Sequence, residues 1–340
     1  MIPPRLSLLT AVRDGLPHLD EAIASIRAQT RRDWEWVIVD DGSRDGSSSR
    51  LDDWARRDRR IRVLHRPARG LVPSLNEGLV HCRAPIVARM DADDLALPER
   101  LAAQSAYLAE HPDVAAADTQ VALLGGARNA GMRAYVDWVN DHPTSASITA
   151  DLFVESPLVH PAVCFRVAAV REAGGYRYGD FPEDYDLWLR LHARGFKLGK
   201  LDRATLLLWR DGPQRLSRTD PRYRRAAFMR LRQEHLAKLE GSALRGGGFV
   251  LWGASRHSRP WRRWLRQLGA RPEFVVEMSP KRIGGRILDA PVVGMEEITR
   301  RPWSSMLVTV SGRASREAIR RQLDAWGLAN GAAGRHVRYV

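Results

Sequence analysis

The sequence predicts an α/β protein built as two units, a larger N-terminal one around a mixed, mostly parallel sheet and a smaller C-terminal one. Three observations carry this. Short apolar runs alternate with helix-spaced segments from Arg5 onward, two of the runs end in acidic residues, and Arg245-Gly246-Gly247-Gly248 separates this pattern from a second alternation. The divisions expected are 1–217, a basic helical connector over 218–245, and 246–340.

Leu6 to Val12 reads as a buried strand. Leu19, Ala22, Ile23 and Ile26 then recur at helical spacing behind Asp20 and Glu21. Trp36-Val37-Ile38-Val39 is a second strand, ending at Asp40-Asp41-Gly42-Ser43. A helix with Leu51, Trp54 and Ala55 leads to a third strand, Ile61 to Leu64. Ser74 to Val80 reads as helix and Ile86-Val87-Ala88 as a fourth strand. The stretch from Gly125 to Ser147 is glycine-rich and polar, and is expected to be a loop or lid. Pro182 opens a helix with Leu187, Trp188 and Leu191 as its buried stripe, and Pro221 to Leu239 is an arginine-heavy helix. Beyond the glycines, Phe249 to Trp252, Phe274 to Val276 and Met306 to Val310 read as strands around helices carrying Trp261-Trp264-Leu268 and Ile319-Leu323.

Strand ends are where this architecture does chemistry, because ligands gather at the carboxyl edge of parallel sheets. Met90-Asp91-Ala92-Asp93-Asp94 places three carboxylates in four positions after the fourth strand. On an extended backbone Asp91 and Asp93 point one way and Asp94 the other. Like charges this close need water or a cation, and hard oxygens suit Mg²⁺ or Mn²⁺. The competing reading is a solvated acidic turn.

The 340 residues carry a formal charge of +14, nearly all of it arginine, since Lys197, Lys200, Lys238 and Lys281 are the only lysines. GC-rich coding explains such an excess as readily as attraction to phosphorylated ligands, anionic membrane or nucleic acid. Cys82 and Cys164 make no disulfide framework. No run is long enough to span a bilayer, and Met1 to Val12 does not read as a secretory signal. A cytoplasmic protein is expected, with peripheral contact at the inner face of the membrane left open.

The portion from Arg5 to Ser217 resembles the family 2 glycosyltransferases, of the GT-A fold. The resemblance rests on ordered motifs: Glu35 to Gly46 as the nucleotide-binding strand and turn, Gly70-Leu71 with Leu75-Asn76-Glu77-Gly78-Leu79, and Met90 to Asp94 with Pro98-Glu99-Arg100-Leu101 and Gln104. Arg166, Gly174-Gly175-Tyr176 and Glu183 to Arg190 match the acceptor-side segment. The resemblance implies inverting transfer of a sugar from a nucleotide-diphosphate sugar to a saccharide or lipid-linked acceptor, as in surface polysaccharide or glycolipid assembly. It implies Asp184 as the base, with Glu183 the alternative, and Asp93 with Asp91 as ligands of Mn²⁺ or Mg²⁺. Asp41 or Asp40 would meet the nucleotide's base and Asp91 its ribose, with Ala11, Val12, Asp14 and Asn76 also lining the donor site.

His160, Trp188, Arg210 and Arg215 fall on the acceptor or phosphate side, His160 being equally readable as structural. Two departures stand out. Ala11-Val12-Arg13-Asp14 replaces the usual Pro-Thr/Val-Tyr-Asn, and Trp209-Arg210-Asp211-Gly212 lacks the histidine of an Arg-x-His.

The C-terminal unit resembles small Rossmann-like domains. Its turn, Trp252-Gly253-Ala254-Ser255-Arg256-His257-Ser258, has serines where the second and third glycines would be, which crowds a pyrophosphate; a scaffold or partner-binding role is the alternative. For the whole chain the alternatives are a nucleotide-sugar-binding protein without transfer activity and a basic nucleic-acid-binding protein. No recognition motif supports the latter, so no nucleic-acid partner is expected. An NAD(P) oxidoreductase lacks both its glycines and a catalytic set.

Overall fold

The computed structural model describes residues 4–126, 130–213, 215–328, 330–331 and 335–340, with Arg203 described by its backbone alone. Its packing separates two compact units, Met1–Thr149 with Ser156–Ala227, and Ala150–Glu155 with Phe228–Val340. Among the described residues no helix is long and apolar enough to cross a membrane.

Eight strands form the sheet of the first unit: β1 (Leu6–Val12), β2 (Trp34–Asp40), β3 (Ile61–His65), β4 (Ile86–Arg89), β5 (Leu95–Ala96), β6 (Val114–Leu124), β7 (Cys164–Arg166) and β8 (Lys197–Arg210). Their order is β3-β2-β1-β4-β7-β6-β8-β5. The first four run parallel. β7 is antiparallel to both its neighbours, and β6 pairs β8 in parallel. β2 is buried along its whole length, as its apolar run requires of a strand covered on both faces. Its one interior acid, Glu35, accepts from Ser7 Oγ, Arg83 N and Arg83 Nε, each at 2.7 Å.

The helices pack as their spacing dictates. Leu19–Arg27 buries Leu19, Ala22, Ile23 and Ile26. Leu71–His81 lies so close to the sheet that a Cβ on Gly78 would fall 2.2 Å from Leu9 Cδ1. Cys82 and Cys164 are buried and free, and burial pushes both thiols up to about 12.

The stretch expected to be a loop or lid corrects the sequence reading. Residues 127–129 lie outside the described residues, but Ala130–Asn140 and Ser145–Asp151 are helices. Val136, Trp138 and Val139 join a core with Val121, Val159, Leu207 and Trp209. Glycines and polar residues around that stripe masked it.

The second unit has its own sheet: β9 (Phe249–Trp252), β10 (Phe274–Val276), β11 (Arg286–Ile287), β12 (Ala290–Val293), β13 (Ser305–Val308) and β14 (His336–Tyr339), in the order β11-β12-β10-β9-β13-β14. All neighbours are parallel except the β11–β12 hairpin. That is the order of a doubly wound sheet, with its switch between β9 and β13. The arginine-heavy helix begins at Arg225 and runs to Gly246, behind a single 3-10 turn at Pro221–Tyr223.

Candidate active site

The carboxyl ends of β1, β2 and β4 define one rim of the first unit. Asp40 and Asp41 leave β2 buried and bonded to the chain around them. Asp40 accepts from Ser43 N at 3.0 Å and also bonds Ser48 Oγ and His65 Nδ1. Burial would raise its pKa, but those hydrogen bonds outweigh it and hold the carboxyl below the usual range. His65 bridges Asp52 and Asp40, which together raise its own pKa.

Asp41 accepts from Arg69 N at 2.8 Å, Gly70 N at 2.9 Å and Ser74 Oγ at 3.0 Å. Asp14, with φ +54, accepts from Arg44 N at 2.7 Å while its own amide donates to Ser43 Oγ. These acids set the loops that follow β1 and β2. Ala11 and Val12 sit at the end of β1, where Val12 O accepts from Asp41 N.

Asn76 is given over to the chain as well. Its Nδ2 donates to Tyr176 O at 2.8 Å and its Oδ1 accepts from Tyr176 N at 2.9 Å. Gly175 allows this approach, since it has φ +68 and its Cβ would lie 2.8 Å from Asn76 Oδ1.

β4 ends at Arg89, so Asp91 to Asp94 form a turn and not an extension of the strand. The expected alternation therefore fails, and Asp94 joins the other two. One oxygen from each of Asp91, Asp93 and Asp94 lies within 4.8 Å of the others. Arg210, at the end of β8, shapes this turn. Its N donates to Asp94 Oδ1 at 2.8 Å, its Nε to Asp93 O at 2.9 Å, and its Nη2 to Glu21. Burial, then Asp91, raises the pKa of Asp93; burial, Asp91 and Asp93 raise that of Asp94 well above the usual range. Asp94 Oδ2 is buried with no hydrogen-bond partner among the described residues. Mutually repelling carboxylates with an orphaned oxygen fit a hard divalent cation. Arg215 stacks 4.0 Å over the Trp209 ring, and its charge opposes the rise at Asp93.

A second acid pair stands in the first turn of the helix Glu183–Ala193, whose N-cap is Pro182. Asp184 is therefore not the cap; its Oδ1 accepts from Tyr185 N at 2.7 Å. Burial, then the neighbouring charge of Glu183, raises Asp184 to about 7. Glu183 is buried too, and both its oxygens accept from Tyr223 OH, at 2.9 and 2.7 Å. The helix is held rigidly below them, since the buried Asp186 takes Arg190 Nε at 2.7 Å and also pairs with Arg177. His160 sits against this pair with Nε2 2.9 Å from Tyr176 OH and Nδ1 3.9 Å from Glu183. Burial pushes it well below its ordinary value, so it is neutral. Trp188 is wholly buried, edge-on to His160, and its Nε1 has no partner among the described residues.

One residue that sequence reasoning passed over links the two acid groups. Arg89 is fully buried and ion-paired with Asp91, and its charge acts on Asp93, His160, Tyr176, Glu183 and Asp184. It is anchored through its carbonyl, which accepts from Arg100 Nη2 at 2.6 Å; the same nitrogen donates to Pro161 O at 2.8 Å, beside His160. An arginine within the apolar run Ile86-Val87-Ala88-Arg89-Met90 was the signal for it. Tyr223 had no comparable signal, lying in an arginine-rich stretch far along the chain.

A mixed α/β sheet with acid groups along one rim defines the class as an α/β protein with a ligand site at its strand ends, and comparison with known proteins makes it specific. The family model of glycosyl transferase family 2 matches residues 7–145, and that of glycosyl transferase family group 2 matches residues 86–268. An uncharacterized glycosyltransferase of Haemophilus influenzae is 33% identical over 192 residues, covering 56% of this chain and 69% of that protein. The amylovoran biosynthesis glycosyltransferase AmsE of Erwinia amylovora is 31% identical over 185 residues, covering 54% of this chain and 67% of the relative. The crystal structure of S. aureus TarS 1-349 in complex with UDP-GlcNAc superposes with a TM-score of 0.56 at 15% identity, over 69% of this chain and 67% of that one. The chain belongs to glycosyl transferase family 2: it is a glycosyltransferase, and its first unit has the GT-A fold.

Proposed function

We propose that this glycosyltransferase is an inverting, metal-dependent enzyme that moves a sugar from a nucleotide-diphosphate donor to a hydroxyl of a saccharide or lipid-linked acceptor. One observation carries the reading: a buried carboxyl raised to about 7, Asp184, shares the field of Arg89 with the carboxylate cluster at Asp91, Asp93 and Asp94. A group with that pKa can exist as a base at neutral pH and still accept a proton usefully. The relative AmsE is named for amylovoran biosynthesis, and another relative for O-antigen biosynthesis, which supports a saccharide acceptor.

In this reading Asp184 takes the proton of the acceptor hydroxyl as its oxygen attacks the anomeric carbon. The bond from that carbon to the diphosphate breaks on the opposite face, and the electron pair leaves with the diphosphate. Asp91 and Asp93, with Asp94, would hold Mg²⁺ or Mn²⁺, and such an ion would supply positive charge to offset that of the departing diphosphate. Glu183, tied by Tyr223, stays in place as the neighbouring charge that sets Asp184. Neutral His160 and Tyr176 pack beside the Glu183–Asp184 pair, and the rigid helix keeps Asp184 aligned. Asp40, Asp41, Asp14 and Asn76 act by shaping the loops and helix of the donor side.

The test is sugar transfer from a panel of nucleotide sugars, before and after chelation, with Mn²⁺ or Mg²⁺ restored. Activity should vanish with chelator, return with the cation, and stay absent in Asp93→Ala. Full activity of the chelated protein, or of Asp93→Ala, overturns the metal role.

A further inference from the structure

Residues 228–340 hold 21 of the 54 Lys and Arg residues but only 9 of the 40 Asp and Glu, so they carry +12 of the formal +14. The arginine-heavy stretch over 221–239 exposes Arg224, Arg225 and Arg230 but ties up its other two arginines. Arg222 is paired with Asp220 at 2.8 Å, and Arg232 is buried against the carbonyls of Phe153 and Val154.

A larger set of unpaired cations stands on and beside the helix Arg259–Leu268 and on the loop that follows β10. That helix turns Trp261 and Leu265 inward and exposes Arg259, Arg263 and Arg266. Half-buried Arg262 donates to Ser255 O at 3.2 Å, and burial followed by the like charges of Arg259, Arg282 and Arg266 pushes its pKa down. These cations therefore lie close enough to repel one another. Among the described residues Arg256, Arg259, Arg263, Arg266, Arg271 and Lys281 make no ion pair.

The loop beside them is firmly built. Glu277, at the end of β10, accepts from Met278 N at 2.8 Å, Ser279 N at 3.1 Å and Arg282 Nη1 at 2.9 Å. Its far end is closed by Gly284 N to Val292 O and Val292 N to Gly285 O, both 2.9 Å. A loop so held nevertheless points two large apolar side chains outward, Met278 at 60% and Ile283 at 43% exposure. Unpaired cations around protruding apolar tips have the chemistry of an interfacial membrane contact, in which headgroup charge and the acyl boundary are engaged together. A nucleic-acid backbone uses the charge but has no use for the tips.

We propose that this face of the C-terminal unit docks on an anionic lipid surface, with Arg259, Arg266 and Lys281 over the headgroups and Met278 and Ile283 entering the acyl boundary. The proposal stands apart from the transfer chemistry.

Co-sedimentation of the full chain with phosphatidylcholine vesicles, with and without phosphatidylglycerol, tests it without an activity assay. The protein should pellet with the phosphatidylglycerol vesicles alone. The triple variant Arg259→Glu, Arg266→Glu, Lys281→Glu should lower the partition by roughly a hundredfold, at about fivefold per basic residue. Met278→Asp with Ile283→Asp should abolish the part of the binding that survives high salt. Arg224→Glu with Arg230→Glu, on the arginine-heavy stretch, should bind as the parent does. These are surface substitutions, and an unchanged melting curve shows the fold intact. No binding of the parent to anionic vesicles overturns the proposal. So does equal loss in both arginine sets, or binding to duplex DNA as tight as to vesicles and indifferent to the Met278 and Ile283 changes.

Discussion

The two sheets of this molecule share an architecture and differ in what stands at their carboxyl edges. In the first, the turn after β4 and the helix Glu183–Ala193 bring acids whose pKa values are pushed upward, at Asp93, Asp94, Glu183 and Asp184. In the second, β10 ends in Glu277, whose carboxylate is held below its usual range. Burial opposes that shift, and the hydrogen bonds from Ser279, Arg282 and Met278 outweigh it. The first edge keeps these four acids under stress beside a satisfied Asp40, while the second has its acid satisfied. A parallel sheet supplies the place for a ligand, but only frustrated side chains supply a reason for one.

The sharpest way to break this contrast is to neutralise one acid at each edge. Asp91→Asn should lower transfer roughly a thousandfold, as expected for loss of a group that stabilises charge in the transition state. Glu277→Gln should leave transfer unchanged and cost about 1 kcal/mol of stability, from weakened hydrogen bonds in its loop. Equal activity loss in both would erase the distinction.

The next effect is on pH. Since Asp184 must be ionised to act and sits near 7, the rate should fall as pH drops below about 7 and level off above it. Its folded pKa lies above the ordinary 3.8, so the folded chain binds more protons than the unfolded one between those values. Stability must then decline as pH rises from about 4 to about 7. Asp184→Asn removes that slope, and should melt higher than the parent at pH 8 and no higher at pH 4.

Smaller still is the effect of Tyr223→Phe. Without its hydroxyl, Glu183 holds its charge less well, Asp184 feels less repulsion, and the acid limb of the rate profile should move to lower pH. An unmoved limb would leave Tyr223 with a packing role only.

Much of the fold was legible because its signals are local. An all-apolar run such as Trp36 to Val39 has few options besides a covered strand, and Asp40 and Asp41 after it mark the edge. The acids nominated for the site stood out for the same reason, each lying at or just past the end of a strand or in the first turn of a helix. What stayed hidden depends on chain reversal or on distance. The turn after Arg89 brings Asp94 to the same side as Asp91 and Asp93, and no periodicity foretells a turn of that shape. The helix Ala130–Asn140 keeps its stripe among glycines and polar residues that read as loop. Asn76, nominated for the donor, spends its amide on Tyr176 a hundred residues away.

The claim at the centre is that Asp184 performs the proton transfer while other groups hold the donor. The direct measurement is donor affinity by calorimetry in the presence of Mn²⁺, set beside single-turnover transfer, for the parent and Asp184→Asn. The account predicts unchanged affinity and a transfer rate lower by about a hundredfold or more. Transfer at the parent rate in Asp184→Asn contradicts it.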